Sequence, residues 1–296
     1  MQTGKIIQSL SGFYDVLTTD QKIIRTRARG NFRKQKIKPV VGDWVDFEDD
    51  YLRKIHPRTN ELVRPLIANV DQALVVISST QPEFSFNLLD RFLVVLEAQK
   101  VRPLICVSKT DLLSTTAAEN LKIELQDYQK WGYLVFSTSE IRKDHASFQK
   151  RLTGRETVLA GQTGAGKSTL LNYLCPELNL ETAEISTSLN RGKHTTRKVT
   201  LYPYAGGLIA DTPGFSSLAW QQVDSVKLPQ FFPEFVTYGK DCKYRSCLHL
   251  NEPGCAVKEA VAQEQIKARR YQNYCQFQAE LKEERPIYQK KSTKRG

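Results

Sequence analysis

Gly161-Gln-Thr-Gly-Ala-Gly-Lys-Ser168 is the stretch that decides the fold of this 296-residue chain. It fits G-x-x-x-x-G-K-[S/T] at every position, follows the apolar run Thr157-Val-Leu-Ala160 and opens a helical stretch from Lys167 to Leu174. A strand, a glycine-rich turn and a helix in that order form a phosphate-binding loop. Glycines let the backbone curl until its N–H groups point inward at phosphate oxygens, and the positive end of the following helix adds to the attraction. The spacing carries Lys167 to the β and γ phosphates and the Ser168 hydroxyl to Mg²⁺. Gly161, Gln162, Thr163, Gly164, Ala165, Gly166, Lys167, Ser168 and Thr169 are therefore candidate nucleotide contacts, with Lys167 also a candidate catalytic cation.

Downstream, the apolar run Leu208-Ile-Ala-Asp211 leads into Asp211-Thr-Pro-Gly214, where Asp211 can hold the Mg²⁺ shell and the Gly214 N–H can sense a γ-phosphate. Between the two motifs lies Ser188-Leu-Asn-Arg-Gly-Lys-His-Thr-Thr-Arg197, polar and glycine-bearing. It occupies the place of a mobile loop whose threonine completes the metal shell when a triphosphate is bound. Thr195 and Thr196 both qualify, and the spacing does not choose between them.

Upstream, Ser108-Lys-Thr-Asp111 follows the strand-like Pro103-Leu-Ile-Cys-Val107. The Asp111 carboxylate can accept from N1 and N2 of guanine, donors that adenine lacks, while the Lys109 stem covers the base; Thr110 completes the motif. Ser137-Thr138-Ser139 follows Tyr133-Leu-Val-Phe136 and is placed to offer backbone contacts to the base edge. Both base-reading strings precede the phosphate loop, whereas a conventional GTPase presents that loop first. Such a permuted order is sterically acceptable, because an α/β sheet keeps its packing when its original ends are joined and new ends open on the surface. The join falls at the basic stretch Ser147 to Arg155. The segment after Asp211-Thr-Pro-Gly-Phe215 then leads straight into the C-terminal region, so nucleotide state is placed to move that region.

Strand-like and helical runs alternate from Val70 onward, the pattern of a parallel α/β sheet. Residues 63–220 are read as this unit. Residues 1–62 show short period-two stretches, such as Val41-Gly-Asp-Trp-Val-Asp-Phe-Glu48, around the basic run Arg25 to Lys38, and fit a small all-β barrel. Its aromatics Phe13, Tyr14, Phe32 and Trp44 are read as core, with base stacking as the alternative. In residues 221–296, Cys242-x₄-Cys247-x-His249-x₅-Cys255 supplies three thiolates and an imidazole, enough for one closed tetrahedral structural Zn²⁺ site. Free thiols in a small core are the rival reading. Cys106, Cys175 and Cys275 read as packing residues, and His56 and His145 have no catalytic company.

Lys and Arg outnumber Asp and Glu by 43 to 32, a net charge of +11, which points to a polyanionic partner. No apolar run approaches the roughly 20 residues of a membrane span, and Met1 to Leu10 lacks the apolar core of a secretion signal. A cytoplasmic protein with no membrane partner is expected.

Taken together, the permuted motifs, the cysteine-histidine spacing, Arg27-Ala-Arg-Gly-Asn-Phe-Arg-Lys34, Val41-Gly-Asp-Trp-Val45 and Arg64-Pro-Leu-Ile-Ala-Asn-Val-Asp-Gln72 resemble the RsgA family of circularly permuted GTPases over essentially the whole chain. The resemblance implies an N-terminal OB-fold barrel, a central circularly permuted α/β P-loop GTPase domain and a small, mostly helical C-terminal zinc-binding domain. It also implies a monomer that uses Mg²⁺ with GTP, acts late in maturation of the 30S ribosomal subunit and contacts 16S rRNA. The basic run Arg25 to Lys38 and the tail Lys282 to Arg295 are the candidate rRNA contacts. Phe215 stands where many GTPases carry the glutamine that orients water, and the resemblance suggests His194 as its substitute; a loop histidine touching RNA is the other reading. Ser108 replaces the usual asparagine, and its shorter hydroxyl is expected to weaken recognition of the purine N7.

Overall fold

The computed structural model describes residues 1–28, 32, 37–178, 180, 199–211, 220 and 223–283. The expectations for His194, Thr195, Thr196, Gly214 and Phe215, for half of the Arg25–Lys38 run and for nearly all of the tail lie outside these residues. The chain divides into two units, 1–221 and 222–296.

Period-two sequence builds the first strands: β1 (Gln2–Leu10), β2 (Phe13–Thr18), β3 (Ile23–Ala28), β4 (Trp44–Glu48) and β5 (Tyr51–Ile55). β1 pairs with both β2 and β4, β2 with β3, and β3 runs parallel to β5, which pairs back to β4. The five strands thereby close into a barrel without a free edge. Ile6, Val16, Val45, Phe47 and Leu52 fill it, each at most 2% exposed. Of the four aromatics, Tyr14 and Phe32 are buried. Phe13 is half-buried with the Arg27 guanidinium 4.6 Å from its ring centre. Trp44 departs from the core expectation: alternation along β4 sends Val45 and Phe47 inward and leaves the indole 40% exposed, with the Lys5 ammonium 4.9 Å from its centre.

A hairpin of β6 (Glu61–Val63) and β7 (Leu66–Ala68) follows, and the boundary expected between residues 62 and 63 falls inside it. The six strands beyond are β8 (Gln72–Ser78), β9 (Arg102–Ser108), β10 (Leu134–Ser137), β11 (Glu156–Ala160), β12 (Thr200–Tyr204) and β13 (Gly207–Asp211). They stand in the order 10-9-8-11-13-12, parallel except for β12. The connecting helices are α1 (Phe86–Ala98), α2 (Thr115–Lys130), α3 (Thr138–Lys143), α4 (His145–Leu152) and α5 (Lys167–Leu174).

Alternation along β8 explains why both sheet faces are covered. Ala73, Val75 and Ile77 pack with Leu89, Phe92, Leu93 and Leu96 of α1 in one core, while Leu74 and Val76 pack with Phe148, Leu170 and Leu171 in another. A strand buried on both faces reads as a continuous apolar run, as this one does. The expected join at Ser147 to Arg155 is occupied by α4 and a turn, which carry the chain from the edge strand β10 back to the central β11.

Barrel and sheet are continuous, since β1 also pairs with β12 at Gln8↔Thr200. Beside this joint the Lys5 ammonium pairs with the Glu156 carboxylate at the root of β11, their side chains 11% and 3% exposed. In the second unit the helices are α6 (Pro233–Tyr238), α7 (Ala256–Ala262) and α8 (Ala268–Glu283). They enclose Phe232, Phe235, Tyr274 and Phe277 around a buried Glu234–Arg270 ion pair of 2.7 Å. Among the described residues no helix is long and apolar enough to cross a membrane.

Burial pushes the Glu156 carboxyl from its ordinary 4.5 up to about 8, with the Lys5 charge opposing. Between those two values the folded protein holds a proton that the unfolded chain has released, so raising the pH through this window favours unfolding. Urea titrations should show stability falling across it and a flatter dependence in Glu156→Gln. An unchanged slope in the variant would exclude Glu156 as the source.

Candidate nucleotide site and metal centre

The carboxyl ends of β8, β9, β10 and β11 bring the motifs together on one side of the parallel sheet, where ligands of such folds bind. After Ala160 the chain must turn sharply beside β8. Gly161 takes φ +135°, and a Cβ built there would lie 2.0 Å from the Val76 carbonyl oxygen. Gly164 and Gly166 also have positive φ, +81° and +91°, and Gly166 caps α5. Lys167, the first residue of α5, reaches back across the turn, its ammonium donating to the carbonyls of Gly161 and Gln162 at 2.7 Å each. The cation is thus held over the curl that phosphate oxygens would enter. β13 ends at Asp211, in register with Leu159 of β11, so its backbone reaches the same end of the sheet two residues along from that strand's exit into Gly161.

On the base side, β9 ends at Ser108, whose side chain is buried, with its hydroxyl donating to the Ala165 carbonyl at 2.6 Å. Lys109 adopts the left-handed conformation, φ +60°, which breaks the strand and starts the short 3₁₀ turn Thr110–Leu112 carrying Asp111 into solvent. Ser137 caps α3: its hydroxyl accepts from the Glu140 N–H at 3.1 Å while the Glu140 carboxylate accepts from the Ser137 N–H at 2.7 Å. The hydroxyls of Thr110 and Ser139 lie 3.2 Å apart, tying the two base-reading strings to each other.

One contributor is absent from the sequence reading. The loop leaving β8 holds Lys109 from below: the Ser79 hydroxyl donates to the Lys109 carbonyl at 2.9 Å, and the Lys109 ammonium donates to the Gln81 carbonyl. The available signal was the switch from an apolar run to Ser78-Ser79-Thr80 at the end of β8, which resembles the ends of β9 and β10.

In the second unit Cys242, Cys247, His249 and Cys255 converge, their ligand atoms all within 4.8 Å of one another. Cys242 Sγ lies 3.6 Å from His249 Nδ1 and 3.9 Å from Cys255 Sγ, and His249 Nδ1 lies 3.4 Å from Cys255 Sγ. Four donors about 2.1–2.3 Å from a central metal stand roughly 3.4–3.8 Å apart at the corners of a tetrahedron, so the spacing and the donor set fit one ion. The supporting shell is hydrogen-bonded. Tyr271 donates to the His249 carbonyl at 2.7 Å, Tyr274 donates to the Leu248 carbonyl, and the Glu252 carboxylate accepts from Leu248 N–H at 2.8 Å and Leu250 N–H at 2.9 Å. Burial pushes the Cys247 thiol up to about 12 and lowers the basicity of His249, which a bound dication would offset.

A phosphate loop whose base-reading strings come earlier in the chain, on strands in this order, defines a circularly permuted P-loop GTPase. The model of the RsgA GTPase matches residues 55–221, and that of the RsgA N-terminal domain matches residues 3–54. Small ribosomal subunit biogenesis GTPase RsgA of Limosilactobacillus reuteri is 54% identical, with 98% of this chain and 100% of that protein aligned. Its namesake in Latilactobacillus sakei is 52% identical over 98% and 99%. Among solved structures, YloQ, described as a circularly permuted GTPase, is 43% identical with a TM-score of 0.81 over 97% of each chain. YjeQ from Thermotoga maritima is 29% identical with a TM-score of 0.81, over 96% of this chain and 99% of that one. The chain belongs to the RsgA family and is a GTP-hydrolysing enzyme.

Gly161→Ala should lose at least about a hundredfold in GDP affinity, because relieving a Cβ that close to a carbonyl of the neighbouring strand must uncurl the loop. Gly206→Ala, in the open turn between β12 and β13, meets nothing within 4 Å; its left-handed backbone, φ +73°, confines the strain to that turn, and the variant should bind GDP like the wild type. Equal affinities for both variants in a fluorescent-GDP titration would contradict the steric argument.

Proposed function

We propose that the enzyme is a ribosome-dependent GTPase of late 30S subunit maturation, working in the cytoplasm as a monomer that contacts 16S rRNA. The observation that carries this reading is full-length identity above 50% to proteins named for small ribosomal subunit biogenesis. The net charge of +11 fits an RNA partner, with the Arg25–Lys38 run and the Lys282–Arg295 tail as contacts. The domains follow as barrel, GTPase and zinc module.

In the reaction, water forms a bond to the γ-phosphorus as the bond to the β-γ bridging oxygen breaks, giving GDP and phosphate. Lys167 and the N–H groups of residues 161–169 meet the charge that grows on the transferring group and the leaving oxygen. Ser168 and Asp211, together with Thr195 or Thr196, would hold Mg²⁺, which when bound would supply charge neutralisation to the phosphates, and the Gly214 N–H would sense the γ-phosphate. Asp111 reads the guanine N1 and N2 groups, Lys109 covers the base, and Ser108, Thr110 and Ser137 to Ser139 shape its pocket. His194 orders the attacking water in place of the glutamine that Phe215 displaces. Cys242, Cys247, His249 and Cys255 hold one structural Zn²⁺.

Purified protein should turn over GTP slowly and ATP not at all, and isolated 30S subunits should raise GTP turnover in a manner that weakens steeply with salt. GTP binding without stimulation would favour an RNA clamp whose nucleotide only stabilises the fold, and ATP turnover would favour an ATP-driven remodeller. His194→Ala should keep GTP affinity and lose most of the stimulated rate; full stimulation would remove His194 from catalysis. Metal analysis should find one zinc per chain, lost together with the thermal stability of the C-terminal unit in Cys255→Ala, and a metal-free protein of unchanged stability would count against the structural site.

A further inference from the structure

Ser108 stands where the base-reading motif usually carries asparagine, and its position in the structure shows where the hydroxyl is used. The residue is 3% exposed at the end of β9, and its Oγ lies 2.6 Å from the carbonyl oxygen of Ala165 in the phosphate loop, against 3.4 Å from that of Ile77. A serine hydroxyl has one proton to give. At these distances it goes to Ala165, a residue with no exposed surface lying between Gly164 and Gly166, both at positive φ. A buried carbonyl of this kind needs a donor, and leaving it without one costs about 1–3 kcal/mol.

The purine N7 is an acceptor only. With its proton committed to Ala165, Ser108 has none left for N7, whereas an asparagine amide carries two N–H groups and can serve both. The surroundings hold the hydroxyl in this arrangement. The Ser79 N–H donates to the Ser108 carbonyl at 3.0 Å, the Ser79 hydroxyl holds the next carbonyl, and a Cβ at Gly166 would already lie 3.7 Å from Ser108 Oγ.

We infer that Ser108 is a positioning residue whose hydroxyl ties the base-reading turn to the phosphate loop and leaves the purine N7 unread, so that Asp111 reads the guanine N1 and N2 groups without help from a contact at N7. The inference rests on the assignment of Asp111 as the reader of that edge. Selectivity is untouched, because adenine and guanine share N7; what changes is how the two halves of the site are held at the spacing of one nucleotide. Loss of the tether should therefore weaken every guanine nucleotide by the same factor, whatever stands at position 7 of the base.

The test is equilibrium binding of GDP and of 7-deaza-GDP, which has carbon in place of N7, to the full-length protein and its variants. Wild type should bind the two within about twofold. Ser108→Ala should weaken both about tenfold and equally, the loss expected for one orphaned buried carbonyl. Ser108→Asn, which restores the second donor, should prefer GDP over the 7-deaza analogue by about fivefold or more. A wild type that loses tenfold on 7-deaza-GDP would overturn the inference, as would a Ser108→Ala protein that binds both as tightly as wild type. The wild-type comparison involves no substitution and stands even if a variant fails to fold. Asp111→Asn, tested against GDP and xanthosine diphosphate, separates the underlying assignment: without a switch toward xanthine the reading of Asp111 fails, while the 7-deaza ratio still reports on Ser108 alone.

Discussion

The structure depends on the close passage of Gly161 beneath the Val76 carbonyl, where there is no room for a Cβ. That approach lets β11 end in a curl instead of running on, and the Lys167 ammonium folds back over that curl. The neighbours of β11 follow from it. β8 supplies the carbonyl that fixes the turn, β13 brings Asp211 to the same level, and α5 begins directly after the curl. The buried faces of β8 and β11 supply the packing that keeps this geometry from relaxing, since close-packed interiors give little for a shift of even a few tenths of an ångström.

Permutation changes the connections and leaves this constraint intact. The base-reading turns come from β9 and β10, earlier in the chain, and α4 returns the chain from the sheet edge to its centre. The new ends lie before β8 and after β13, so one connects to the barrel and the other to the cysteine-histidine unit. The barrel joins β12 through β1, and Lys5 meets Glu156 at the root of the very strand that carries the phosphate loop. The N-terminal module is therefore built onto the GTPase sheet by backbone pairing and by a buried hydrogen bond from Lys5 to Glu156.

Much of this was legible in the sequence because it is local. The phosphate loop, the Ser108–Asp111 string and the cysteine-histidine spacing each declare their place in the fold within a few residues, and the apolar run of β8 declares a strand buried on both faces. What escaped depends on partners far apart in sequence. The acceptor of the Ser108 hydroxyl lies 57 residues away and the partner of Glu156 lies 151 residues away, so no spacing rule reaches them. Trp44 was misplaced for a related reason: an aromatic in a small barrel suggests core, but the register of β4, set by pairing with β1 and β5, assigns the inward positions to Val45 and Phe47. The support of Lys109 by the loop after β8 likewise emerges only once β8 and β9 are paired.

The central claim is that segments presented in permuted order meet on a single guanine nucleotide. An experimental structure of the protein with GDP and Mg²⁺ tests it most directly. The guanine N1 and N2 groups should lie on the Asp111 carboxylate and the β-phosphate inside the curl of residues 161–168, with the Lys167 ammonium drawn from its carbonyls to the phosphate oxygens. A nucleotide seated with its base away from Asp111, or its phosphates outside that curl, would contradict it.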